Sequence, residues 1–117
     1  MSYRVNASEE FEVWFSKQSL DLQRVIAAHV ELLEARGPQL GRPQVDTLKG
    51  SRLGNFKELR VQYRGEPYRI LFAFDPKREA LLLVGGNKTG DKRWYEKMIP
   101  KAEDLFEKHL ETLDKED

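Results

Sequence analysis

Cysteine is absent from the 117 residues, which excludes disulfides and thiolate-held metals and fits a reducing cytoplasm. Histidine is scarce: His29 and His109 are the whole supply. Both fall on helical patterns and read as helix residues far from the sheet, so a histidine metal cluster or a histidine-based triad is set aside. No apolar run approaches the roughly 20 residues that a bilayer-spanning helix requires. The first residues, MSYRVNASEEFEVWF, also lack the basic start and continuous apolar core of a signal peptide. The glycine pair Gly85-Gly86 precedes Asn87-Lys88-Thr89-Gly90, but the GxxxxGK[ST] spacing of a phosphate loop is missing. The expectation is a soluble cytoplasmic chain with no membrane partner, no metal and no cofactor.

Net charge is also lacking, with 20 basic and 20 acidic side chains, so the total argues for neither nucleic acid nor membrane. The distribution says more. Residues 1–41 hold four Lys/Arg against six Asp/Glu, residues 42–97 thirteen against seven, and residues 98–117 three against seven. A basic middle between acidic ends is a plausible footprint for a polyanion on the central segment. The length suits one domain, residues 1–117, able to bury a core without staples.

A short strand is expected at residues 3–6, then Ser8 as the cap of a helix with Glu9 and Glu10 in its first turn. Phe11, Trp14 and Phe15 recur at helical spacing. A second helix starts at Ser19 or Asp21 and carries Leu22, Val25, Ile26, His29, Leu32 and Leu33 on one stripe, until Gly37 and Pro38 stop it. Residues 37–54 read as a basic loop with one short piece at 45–48. Strands follow at 56–64, 68–74 and 80–88, joined by turns at 64–67 and 75–78 into an antiparallel meander. The last of them is nearly all apolar, its end loosened by Gly85 and Gly86. One helical turn is expected at 93–97, and Pro100 opens a final helix striped by Ala102, Leu105, Phe106, His109 or Leu110, and Leu113. Its end, 114–117, should fray.

Alternation in the first meander strand puts Leu59, Val61 and Tyr63 on one face with Lys57, and Glu58, Arg60 and Arg64 on the other with Phe56 and Gln62. In the second strand Arg69 shares a side with Leu71 and Ala73. Pairing the two strands brings Arg60 and Arg69 together. Two adjacent guanidiniums suit a phosphate, because planar forks give charge-assisted bidentate bonds. Glu58 paired with them as a structural network is the competing reading. The cationic and phenolic set is therefore Lys57, Glu58, Arg60, Arg69, Lys88 and Tyr95.

The run KELRVQYRGEPYRILFAFDP, followed by LLLVGGNKTGDKRWYEKMIPKAEDLF, resembles the HigB-like branch of the RelE/ParE superfamily of bacterial and phage toxins, over nearly the whole chain. The resemblance implies an α+β, RelE-like fold: an N-terminal helical hairpin packed on a twisted antiparallel sheet, with a C-terminal helix. It implies metal-independent cleavage of messenger RNA, commonly on the ribosome, restrained by a helix-turn-helix antitoxin of HigA type. Arg69 matches the family's phosphate-binding arginine, Tyr95 its C-terminal aromatic position, and Lys88 a basic residue at the end of the last strand. Glu58 falls where many relatives have lysine, and Thr89 where the best-known members have arginine, so the general base stays open.

In such a reaction the 2′-hydroxyl attacks the adjacent phosphorus, which calls for a base, cations and an acid. Glu58 is the base by type, Arg60, Arg69 and Lys88 supply charge, and Tyr95 orients the nucleotide or moves a proton, its pKa lowered if those cations are close. Lys57, Arg64, Arg52 and Lys49 are candidate RNA contacts. Two alternatives share the fold: a ParE-like inhibitor of DNA gyrase and an inactive module that only binds protein or nucleic acid.

Overall fold

The computed structural model of the chain describes residues 2–115. Five strands form one sheet in the order β1-β5-β4-β3-β2, with β1 at Val5–Ala7, β2 at Val45–Thr47, β3 at Phe56–Tyr63, β4 at Glu66–Phe74 and β5 at Ala80–Asn87. Strands β2 to β5 run antiparallel, as the short connections predict. Strand β1 pairs parallel with β5, so the sheet is mixed rather than wholly antiparallel. In the chain this parallel pair is separated by two helices and by strands β2 to β4, ample length for the crossover that parallel strands require. No helix among the described residues is long and apolar enough to cross a membrane.

Helices α1 (Glu9–Ser16) and α2 (Leu20–Arg36) start where sequence places them. The hydroxyls of Ser8 and Ser19 accept from the amides of Phe11 and Leu22, at 3.1 and 3.2 Å. At the far end Gly37 has φ 58°, and a Cβ there would come within 2.4 Å of the Tyr3 ring. Both helices cover one face of the sheet. Phe11, Leu22, Ile26 and Leu33 pack there against Leu59, Val61, Ile70, Phe72 and Leu82. This is the Leu59/Val61 face foreseen from alternation.

The opposite face is covered by α3 (Trp94–Asp114), where Trp94, Ile99, Ala102 and Phe106 pack on Phe56, Leu71, Ala73, Leu83 and Val84. With helices on both faces β5 is buried on both sides, which is why it reads as an unbroken apolar run. Pro100 does not open this helix. It is the seventh residue of one continuous helix that includes the expected turn at 93–97. Its missing amide costs one hydrogen bond, to the carbonyl of Glu96. The helix continues to Asp114; the rest of the expected frayed end, residues 116 and 117, lies outside the described residues.

Strand β5 also contains a register shift against Leu71 and Phe72: Val84 faces Leu71 while Leu82 faces Phe72, so Leu83 is an extra residue. The bulge resets the alternation. Gly85 therefore lies under Trp14 of α1 and Gly86 under Trp94 of α3; an added Cβ would approach the two rings to 2.6 and 2.7 Å. The glycines are seats for two indoles, not a loosened strand end. Between β3 and β4, Arg64 and Gly65 both take positive φ, 50° and 78°, as a tight primed hairpin turn requires.

Candidate active site

The hairpin β3–β4 sets the register that the site depends on. Arg60 lies directly opposite Arg69, and Glu58 opposite Leu71. Two guanidiniums facing each other across strands repel, and the arrangement holds because carboxylates stand between and beside them. Glu58 Oε2 accepts from Arg60 Nε at 3.1 Å, and Glu58 Oε1 lies 3.6 Å from Arg69 Nε. Arg60 reaches a second carboxylate, Asp46 of β2, at 3.1 Å. Arg42 also binds Asp46, at 3.1 Å, and this hydrogen bond is the first reason that the Asp46 carboxyl is held below its ordinary range.

Tyr95 arrives from the first turn of α3. Its hydroxyl donates to Glu58 Oε1 at 2.5 Å, and its ring lies 5.4 Å from the ammonium of Lys88 just beyond β5. The sequence predicts a phenol made more acidic by nearby cations. The cations are near, yet burial, helped by the Glu58 carboxylate that accepts its proton, pushes the Tyr95 hydroxyl up to about 12; Arg69 opposes this only in part. A phenol in that state is a proton donor at neutral pH.

Burial separates the members of the cluster. The Glu58 side chain is 5 % exposed, that of Arg69 13 % and that of Arg60 37 %. Arg69 donates from Nη1 to the carbonyl of Tyr68 at 3.0 Å, but its buried Nε finds no hydrogen-bond acceptor among the described residues. The anion beside it, Glu58 Oε1 at 3.6 Å, pairs with its charge without a hydrogen bond. Arg60 and Arg69 both open onto a cleft of ≈ 370 Å³, completed by His29, Pro43, Gln44 and Gln62.

The structure thus joins five of the predicted site residues, Glu58, Arg60, Arg69, Lys88 and Tyr95, in one contiguous set. Four others stand apart. Lys57 is on the opposite face of β3, beside Thr47. Arg64 sits at the hairpin turn over the Tyr63 ring, 5.3 Å from its centroid, and 3.6 Å from Asp21 of α2. Arg52 is held by α3 through Glu103 at 3.5 Å, Asp104 at 3.6 Å and Glu107; its pKa is raised, first by the bond to Glu107. Lys49 is exposed on the same loop.

Three residues escaped the sequence reading. Asp46 carries no motif and becomes a partner of Arg60 only through the pairing of β2 with β3. His29, expected far from the sheet, lines the cleft beside Arg60 and Arg69. Nothing in its helical spacing could have shown this. His109, expected equally far, binds Asp75 at the end of β4 through Nε2 at 2.8 Å, and Asp75 in turn caps the β4–β5 turn by accepting from the amides of Lys77 and Glu79.

The family profile described as "Phage derived protein Gp49-like" matches residues 13–107. Two Mycobacterium tuberculosis proteins are similar in sequence. One, named as toxin HigB2, is 43 % identical over 104 residues, covering 87 % of this chain and 52 % of the relative. The other, named as toxin HigB3, is 46 % identical over 102 residues, covering 86 % and 88 %. The chain therefore spans about half the length of the first relative and most of the second. Among solved structures, a mutant of the E. coli toxin RelE in the free state superposes with a TM-score of 0.59 at 12 % identity, over 82 % of this chain and 94 % of that one. The archaeal RelE–RelB complex of Pyrococcus horikoshii OT3 gives 0.56 at 19 %, over 77 % and 99 %. At such identities the likeness speaks for the fold alone. With a profile match across most of its length and HigB relatives above 40 % identity, the chain belongs to the Gp49-like family, is similar in sequence to HigB toxins and carries a RelE-like α+β fold.

Proposed function

We propose that this chain is the toxin of a type II toxin–antitoxin pair, a metal-independent endoribonuclease that cuts messenger RNA on the translating ribosome and is neutralised by a helix-turn-helix antitoxin of HigA type. The observation that carries the reading is Arg69: a nearly buried guanidinium whose Nε has no acceptor, facing Arg60 across the hairpin and opening onto a cleft. A phosphodiester supplies the acceptor that the Arg69 Nε lacks, with several oxygens that both forks can grip. In the free protein Glu58 stands in part for that anion, and a bound phosphate competes with it.

Cleavage proceeds by attack of the 2′-hydroxyl on the neighbouring phosphorus. Arg60 and Arg69 stabilise the charge that builds on the phosphorane, with Lys88 adding a third cation at the edge. Tyr95, protonated at neutral pH, gives its proton to the departing 5′ oxygen. Glu58 has both oxygens engaged and little exposure, so its part here is to hold Tyr95 and the arginines in position rather than to meet the RNA. Dependence on the 2′-hydroxyl makes RNA the substrate and DNA inert. Lys57, Arg64, Lys49 and Arg52 lie outside this cluster, and the proposed cleavage uses none of them.

Expression is expected to arrest growth, with new 5′ ends in cellular messages within minutes of induction. Arg69→Ala should stay folded, cut at least about 10²-fold more slowly and relieve the arrest. A folded Arg69→Ala protein as toxic as the parent would refute the site. Growth arrest with intact transcripts and damaged DNA would move the function to gyrase inhibition.

A further inference from the structure

We propose that His29 is the proton acceptor of this site, the group that takes the 2′-hydroxyl proton when RNA is cut. The proposal rests on the ribonuclease reading above and names the base that reading leaves unassigned.

His29 Nδ1 lies 2.8 Å from the carbonyl oxygen of Val25, one turn earlier on α2. A carbonyl oxygen only accepts, so Nδ1 carries the hydrogen, and in the neutral ring Nε2 is left as the lone pair. The helix therefore fixes the tautomer and leaves the basic nitrogen free of it. The same ring lines the cleft with Pro43, Gln44, Arg60, Gln62 and Arg69. Proline and glutamine do not titrate, and arginine stays protonated. Imidazole is the one group on these walls suited to take and return a proton near neutrality. The charged groups facing it are Arg60 from β3 and Arg69 from β4; the segment at Pro43 and Gln44 contributes none.

The placement also suits the geometry of the reaction. Arg60 and Arg69 belong both to this cleft and to the cluster with Glu58 and Tyr95. In this proposal the phosphate sits between the two guanidiniums, with the His29 imidazole on the side of the cleft and the Tyr95 phenol on the side of Glu58. In-line displacement brings the attacking and leaving oxygens to opposite sides of phosphorus, where a base and an acid are then needed separately. His29 Nε2 takes the proton as the 2′ oxygen bonds to phosphorus. The bond from phosphorus to the 5′ oxygen breaks, and that oxygen takes the Tyr95 proton. The products are a 2′,3′-cyclic phosphate and a 5′-hydroxyl, and solvent returns the imidazolium proton to the phenolate.

The test uses the full chain on free or ribosome-bound message, whichever the wild type cuts. His29→Gln is expected to lower kcat about 10²-fold or more with little change in KM, and to flatten the acidic limb of the pH–rate profile. His29→Ala should be partly rescued by added imidazole, which a purely structural histidine would not show. Independently of turnover, the His29 ring resonance should shift on titration with inorganic phosphate, while that of His109, occupied by Asp75, stays put. Wild-type kcat and an unchanged pH profile in a folded His29→Gln protein would overturn the proposal alone. A wild-type chain that cuts no RNA would overturn the function proposed above, and the role of His29 with it.

Discussion

Replacing Glu58 with glutamine keeps the shape of the residue at the centre of the site and removes its charge. Three groups then lose a carboxylate: the Tyr95 hydroxyl at 2.5 Å, Arg60 at 3.1 Å and Arg69 at 3.6 Å. Stripping one partner from a buried ion pair costs about 3–5 kcal/mol when nothing replaces it. Here Arg60 keeps Asp46 and is 37 % exposed, and the glutamine oxygen still accepts from Tyr95, so about 2–4 kcal/mol is expected. That is roughly 8–16 °C in Tm for a domain of this size, against a total stability of about 5–15 kcal/mol.

The same change acts on the phenol. Two of the three causes that raise the Tyr95 pKa to about 12 come from Glu58, while Arg69 pulls it down. The neutral, hydrogen-bonded phenol therefore contributes stability that is present below the ordinary tyrosine pKa near 10 and is lost as pH rises through 12. In Glu58→Gln the loss should move to lower pH. Subtracting the ultraviolet titration of Tyr95→Phe from that of each parent isolates this one tyrosine among four. If Tyr95 ionises at the same pH with and without the Glu58 charge, the coupling described for the site is wrong.

Two further predictions concern the scaffold. Gly86→Ala pushes a methyl to within 2.7 Å of the buried Trp94 indole, and chemical denaturation with tryptophan fluorescence should show a loss of about 1–3 kcal/mol. Glu103 of α3 is buried and accepts from the Ser51 hydroxyl at 2.8 Å and the Arg52 amide at 2.7 Å. Glu103→Ala should cost about 1–3 kcal/mol and make the segment around residues 49–55 cleavable by trypsin at Lys49 and Arg52, seen by mass spectrometry.

Much of the scaffold was written locally. Covalent geometry fixes a period of two in strands, so the sides taken by Leu59, Val61, Glu58 and Arg60 followed from order alone, as did the meeting of Arg60 with Arg69 across the turn expected at 64–67, which the structure tightens to Arg64 and Gly65. Caps at Ser8 and Ser19 likewise depend on residues three apart. Where a local rule met a non-local surface, it failed. Pro100 reads as a helix start, but α3 packs as a single body against β4 and β5 and absorbs one missing hydrogen bond.

Gly85 and Gly86 read as looseness because the alternation rule contains no bulge and no sequence rule says that an indole from α1 and another from α3 will land there. The site divides in the same way. Its arginines and Tyr95 were legible because strand parity and family likeness point to them one residue at a time. The state of that tyrosine was not: its proton depends on whether burial and Glu58 outweigh Arg69, a balance of distances that only the packed chain sets. Nor was the place of His29. It lies 40 residues before Arg69 in the chain, and the cleft that joins them exists only once α2 and the segment at Pro43 close over the open end of β3.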